Sequence, residues 1–429
     1  MLEQSILQNY LDILREELVP ATGCTEPIAI AYCAATLREL LGALPEQVDA
    51  AVSGNILKNV KSVVVPNTGG RKGIAPAIAV GLVAGDAARD LQVISAVTEE
   101  QLAELDAYLQ RVDISVSCSH SPCQLDIDLR GSCGGHTARV RITNHHTNIV
   151  CLERDGEVLR ELPVVDSAEE HRADKSLLNV ADILRFAAEV PLEDLLPLLE
   201  PQVSCNSAIA EEGLRGAWGA QIGRILLEDY GDDIKQRAKA YAAAGSDARM
   251  SGCNLPVVIV SGSGNQGVTA SLPVIVYAEK HGCSREQMLR ALALSDLIAI
   301  HLKSGIGRLS AYCGAVCAAT GAGCAMTYLD GGTLEQIDQT ITNSIATSSG
   351  MVCDGAKPSC AAKIATSLES AIMAHDLAMA NRAFQSGEGI VMDNVEQTID
   401  AVGCVASQGM HITDQVILNL MTQQKGARA

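Results

Sequence analysis

The spacing of apolar residues changes twice along this chain, and those changes limit what it can fold into. Leu7, Leu11, Leu14 and Leu18 recur at a helical period, and residues 1–44 read as two helices interrupted at Pro20-Ala21-Thr22-Gly23. Val48 to Ser53 and Val60 to Val65 are strand-like, Pro66 to Gly70 is a loop, and residues 73–110 return to helix. From 112 to 165 the period becomes two: Ile114-Ser115-Val116-Ser117, Leu125-Asp126-Ile127-Asp128 and Ala138-Arg139-Val140-Arg141-Ile142 alternate. Asp155-Gly156 has the chemistry of a hairpin turn. A small antiparallel sheet is predicted there. After a polar, charged stretch at 165–175 the pattern is helical to the end, with helices rich in small residues at 268–280, 286–303, 309–328, 334–349 and 360–381. The expected class is α+β. An N-terminal domain of helices and a small antiparallel sheet (1–170) precedes a mostly all-α domain (171–429).

The chain is 48% hydrophobic yet only 3% aromatic, so its cores must be built from Ala, Val, Ile and Leu. The helices rich in small residues are compatible with a homodimer. A net charge of −19, with no cluster of Lys or Arg, argues against a nucleic-acid partner and requires a local positive site for any anionic substrate. The longest run of small apolar residues, Gly73 to Gly85, is too short to span a bilayer, and the first residues run straight into an amphipathic helix. A cytoplasmic location is therefore expected. In that compartment the fifteen cysteines point to metal, catalysis or burial rather than disulfides.

Three of those cysteines carry the most chemistry. Cys353 and Cys360 close the segment Cys353-Asp354-Gly355-Ala356-Lys357-Pro358-Ser359-Cys360, and Cys313 lies one helical stretch upstream. Three thiolates can hold three irons of a [4Fe–4S] cube and leave the fourth open as a Lewis acid. The competing set, Cys313, Cys317 and Cys324, would be one helix face packed in a core. Spacing alone leaves both readings open. Cys24, in Gly23-Cys24-Thr25-Glu26-Pro27, stands where a helix begins. There a thiol's pKa can fall from about 8.5 into a range of roughly 3.5–7.5, which would make Cys24 a base or nucleophile. The alternative is a buried thiol in a capping loop.

Other segments offer polar groups for a small anionic substrate. Gly262-Ser263-Gly264-Asn265-Gln266-Gly267 has the letters of a dinucleotide fingerprint without the strand and acidic residue that should follow. A nest of backbone N–H groups for a carboxylate, with Ser263, Asn265 and Gln266, suits it better. Asn55, Lys58 and Asn59 follow a strand. His146, Thr147 and Asn148 interrupt the sheet region, where adjacent histidines would face opposite ways. Arg249 and Arg308 are cations able to clamp a carboxylate. None of the lysines stands in a pyridoxal-phosphate context.

The stretches Gly23 to Pro27, Ser246-Asp247-Ala248-Arg249-Met250, Ser261 to Gly267 and Cys353 to Cys360 resemble the L-cysteine desulfidases, relatives of the iron–sulfur L-serine dehydratases, over essentially the whole chain. The resemblance implies a [4Fe–4S] cluster on Cys313, Cys353 and Cys360, a functional thiol at Cys24 and no pyridoxal phosphate. It implies elimination of L-cysteine to pyruvate, ammonia and hydrogen sulfide, with the open iron taking the departing sulfur. The dehydratase relatives have a longer gap between the last two cysteines, which favours the desulfidase branch. L-Serine dehydratase, a non-catalytic iron–sulfur or thiol-binding protein, and a metal-free helical binding module are the alternatives.

Overall fold

The computed structural model describes residues 2–119, 121, 123–164, 173–307 and 310–423. Helix Gln4–Glu17 leads into a short strand, β1 (Pro20–Thr22), and then into helix Thr25–Leu41. Strand β2 (Gln47–Val52) follows, and Ser53 at its end caps helix Gly54–Val60 by accepting from the Ile56 N–H at 3.4 Å. That cap corrects the expectation of a strand at Val60 to Val65. Val60 closes the helix, and only a single bridge, Val64 to Lys72, has strand character.

Helices Ile74–Ala84 and Glu99–Arg111 carry the chain across to β3 (Asp113–Cys118). The strands β4 (Asp126–Cys133), β5 (His136–Thr143), β6 (Ile149–Arg154) and β7 (Glu157–Glu161) then run as a meander. The sheet order is β3-β2-β4-β5-β6-β7. All pairs are antiparallel except β2 with β3, which is parallel, so the sheet is not purely antiparallel as expected. The intervening helices are the crossover that a parallel pair requires. Asp155 and Gly156, at φ 52° and 82°, form the predicted hairpin turn between β6 and β7. Helix Thr25–Leu41 covers the sheet, where Ala138, Val140 and Ile142 of β5 point inward.

The remainder is helical as expected, apart from β8 (Pro256–Val258), which pairs antiparallel with β1. This pairing joins the first strand of the chain to its helical half. Helices Ile234–Met250, Gly264–Lys280, Arg285–Ser304, Gly314–Leu329 and Cys360–Met379 pack on one another. Small side chains let their backbones approach. Adding a Cβ at Gly321 would place it 2.3 Å from the Ser295 carbonyl oxygen. Among the described residues no helix is long and apolar enough to cross a membrane.

Candidate active site

Two antiparallel stretches bring the first pair of cysteines together. The Cys313 N–H donates to the Met351 carbonyl at 3.0 Å, and the Cys353 N–H donates to that of Ala311 at 2.6 Å. A bridge between Tyr312 and Val352 lies between these bonds, so Cys313 and Cys353 are held side by side although forty residues separate them. The chain after Cys353 turns through Gly355 and returns at Cys360, the first residue of helix Cys360–Met379, whose thiol lies 3.8 Å from the Gly355 carbonyl oxygen. Asp354 braces the turn by pairing with both Lys357 and Lys363, and Lys363 also donates to the Val352 carbonyl at 2.7 Å.

All three cysteines line one cavity of about 110 Å³ together with Cys24. Cys24 is the N-cap of helix Thr25–Leu41, Ser263 of Gly264–Lys280 and Cys313 of Gly314–Leu329, while Cys360 opens its own helix. Four helix N-termini thus meet at the cavity and make its field positive. Arg249, Lys303 and Lys363 line it as well. The local positive site demanded by an acidic protein is here.

Burial nonetheless keeps the Cys313 and Cys360 thiols protonated. Burial pushes the Cys313 pKa up to about 12, reinforced by the neighbouring Cys353, and burial raises Cys360 as well. Thiolates crowded in this way need a cation among them, and a bound metal reverses the local preference. Among the described residues no three His, Cys, Asp or Glu side chains converge on one point as ligands of a single ion. Cys313, Cys353 and Cys360 share the lining of one cavity and are the thiols from which a polynuclear centre would be held. Cys317 and Cys324 are buried in the core of helix Gly314–Leu329, away from the cavity lining.

Cys24 begins its helix as expected, but its pKa does not fall. Burial pushes the thiol well above its ordinary value, and the adjacent Glu26 carboxylate adds to the rise. Desolvation outweighs the helix terminus. The thiol donates to Glu26 Oε2 at 2.9 Å, while Asn59 Nδ2 donates to Oε1 at 2.8 Å. Burial works against ionisation of Glu26, yet His146, the Cys24 hydrogen bond and Arg249 hold it below the usual carboxylate range. Glu26 is therefore an ionised carboxylate that accepts the hydrogen bond of a protonated Cys24 thiol.

One wall of the cavity is built by close approach of backbone. Arg249 lies against Gly264, where a Cβ would stand 2.3 Å from Nε. Nη1 of Arg249 donates to Asn265 Oδ1 at 3.0 Å, but its buried Nε has no partner. Gln266 lies against Gly314 in the same way, and its buried Oε1 is also unpartnered. Each such group costs about 1–3 kcal/mol if left so. Both side chains line the cavity, where a donor and an acceptor suit a molecule that carries both a carboxylate and an ammonium.

His146 reaches the cavity from the turn after β5, in which the His145 N–H donates to Thr143 O at 2.7 Å and Asn148 Nδ2 to the same oxygen at 3.0 Å. Asn59, Ser263, Asn265 and Gln266 line the cavity too. Asn55 and Lys58 do not. Asn55 faces a neighbouring cleft, and Lys58 pairs with Asp414 of helix Met410–Gln423. Thr147 is exposed and Asn148 holds its turn closed, both outside the cavity lining. Arg308 lies outside the described residues. The dinucleotide motif has no parallel strand beside it, since β8 pairs antiparallel with β1.

Comparison with known proteins shows the family. A family model described as serine dehydratase alpha chain matches residues 88–419. The chain belongs to the serine dehydratase alpha chain family. Within it, the chain is 49% identical over 417 residues to a UPF0597 protein of Desulfitobacterium hafniense, covering 97% of each. It is 51% identical over 414 residues to one of Lachnoclostridium phytofermentans, covering 96% of this chain and 99% of that one. It is 47% identical over 426 residues to one of Treponema denticola, covering 98% and 99%. The family match spans all three cavity cysteines that follow residue 300, and the relatives extend the likeness to the N-terminal part that supplies Cys24 and Glu26.

Proposed function

We propose that this member of the serine dehydratase alpha chain family is an L-cysteine desulfidase, converting L-cysteine and water to pyruvate, ammonia and hydrogen sulfide without pyridoxal phosphate. The observation that carries the reading is the convergence of Cys24, Cys313, Cys353 and Cys360 on one electropositive cavity with Arg249 and Gln266. In this reading Cys313, Cys353 and Cys360 hold a [4Fe–4S] cluster. When bound, the cluster supplies a Lewis-acidic site for the departing sulfur.

The chain's own residues do the rest. Arg249 Nε and the helix terminus at Gly264 take the substrate carboxylate, and Gln266 Oε1 accepts from the ammonium. Cys24 Sγ takes the Cα proton as its own proton passes to Glu26 Oε2, so the pair acts as one base. The C–S bond breaks and its electron pair leaves with the sulfur, which departs as hydrosulfide. The aminoacrylate left behind tautomerises to an imine, and water hydrolyses it to pyruvate and ammonia. Residues 1–170 contribute the proton-handling groups and residues 171–429 the cluster ligands. The reading places the protein in a reducing cytoplasm, where its cysteines stay available as ligands.

The second reading is L-serine dehydratase, favoured by the family match itself. It uses the same residues with hydroxide as the leaving group. Protein purified without oxygen and supplied with L-cysteine or L-serine tests both. Release of sulfide with pyruvate, at a higher kcat/KM than for serine, is expected. Turnover of serine alone would transfer the assignment to the dehydratase.

A further inference from the structure

Lys303, in the last turn of helix Arg285–Ser304, is 5% exposed and lines the cavity with Cys313 and Cys353. Burying an ammonium costs several kcal/mol unless an opposite charge compensates it. Other lysines near these cysteines are compensated, Lys58 by Asp414 and Lys363 by Asp354. Among the described residues Lys303 makes no ion pair with a carboxylate; burial lowers its pKa, and Cys317, Cys353 and Cys313 are the groups that oppose this. Neutral thiols cannot offset a buried cation. Three thiolates bound to iron carry the negative charge that would.

We propose that Lys303 is the buried counter-charge of the cluster held by Cys313, Cys353 and Cys360, and that it raises the cluster's reduction potential and protects it from oxidation. The inference rests on the cluster reading above. A fixed positive charge favours the more negative, reduced state of a cluster and disfavours loss of an electron. Lys303 acts here through the cluster and is a positioning residue. A role in touching the substrate would leave the potential unmoved.

The test uses the full-length protein purified anaerobically, with iron content, a redox titration followed by electron paramagnetic resonance, and bleaching of the visible absorbance in air. Lys303→Met keeps the length of the side chain and removes the charge. It should move the reduction equilibrium about tenfold or more toward the oxidised form, a negative shift of about 59 mV for one electron, and bleach faster. Lys303→Arg should restore both. A folded Lys303→Met protein that takes up no iron supports the proposal if Lys303→Arg recovers uptake, and overturns it if not. Should Lys303→Met fail to fold, Lys303→Gln carries the same comparison. An uncharged variant with the wild-type potential and air stability overturns the proposal alone, whatever its activity. Wild-type protein that binds no iron overturns the cluster reading and this proposal together.

Discussion

The Cys24 thiol donates a 2.9 Å hydrogen bond to Glu26 Oε2, and both side chains are buried at the wall that also carries Cys360. A thiol raised by burial and a carboxylate lowered by its neighbours share one hydrogen bond, which is the proton path of the proposed mechanism. Removing either end should therefore break the same step. Cys24→Ala and Glu26→Gln should each lower kcat by about 10²–10⁴-fold, the range of positioned base catalysis, while iron content stays at the wild-type level. Steady-state kinetics alongside iron analysis checks this. A Glu26→Gln protein of full activity would remove Glu26 from the path.

Arg249 and Gln266 line the cavity, and each carries one buried polar atom without a partner. Arg249→Met should cost about 1.5–3 kcal/mol of charge-assisted hydrogen bonding, seen as roughly a 10–100-fold rise in KM. Gln266→Leu should raise KM less, because its bond is not anchored by a guanidinium. Unchanged KM in both variants would place the carboxylate elsewhere.

The turn between Cys353 and Cys360 depends on Asp354. Burial alone would raise this carboxyl, yet Lys357 and Lys363 hold it down to about 2. Its pairing is complete above the ordinary carboxylate pKa near 4 and is lost as pH falls toward 2. The group is 41% exposed, so solvent screening makes the contribution to global stability small. Its effect is local. Asp354→Asn should speed protease cleavage between residues 353 and 360 and lower iron occupancy, with little change in the melting temperature.

Asp296 and Gln202 form a buried pair far from the chemistry. Gln202 Nε2 donates to Asp296 Oδ1 at 3.0 Å, while Asp296 Oδ2 and Gln202 Oε1 both lack partners. A protonated Asp296 would satisfy both with one O–H bond, and burial pushes its pKa up to about 7. The folded state then keeps a proton that the unfolded chain releases near pH 4. Stability falls as pH rises through that window, by up to about 1.4 kcal/mol per pH unit. Asp296→Asn makes the same two bonds without a proton to lose. Its melting temperature should exceed that of wild type at pH 8 by more than at pH 5. Parallel melting curves across this range would contradict the account.

Much of this architecture can be read from the residues. Asp155-Gly156 demands two positive φ values, whereas the spacing of the cysteines alone leaves a cluster and a packed helix face both open. The parallel β2–β3 pair was illegible because three helices separate its strands. The pairing of 310–313 with 351–353 likewise rests on contacts between distant segments. Glu26 looks like an ordinary acid in a first helical turn, and Lys303 like an ordinary cation in a last one. Both matter only because the tertiary fold buries them. Cys24 shows the converse: its place at a helix start is visible in the sequence, but the desolvation that raises its pKa is not.

The most direct test of the central claim is iron and acid-labile sulfide per chain in anaerobically purified wild-type protein and in Cys313→Ser, Cys353→Ser and Cys360→Ser. The account predicts about four of each in wild type, and little of either in every variant at unchanged helical content. Wild-type protein without iron, or single variants that keep it at the wild-type level, would contradict the account.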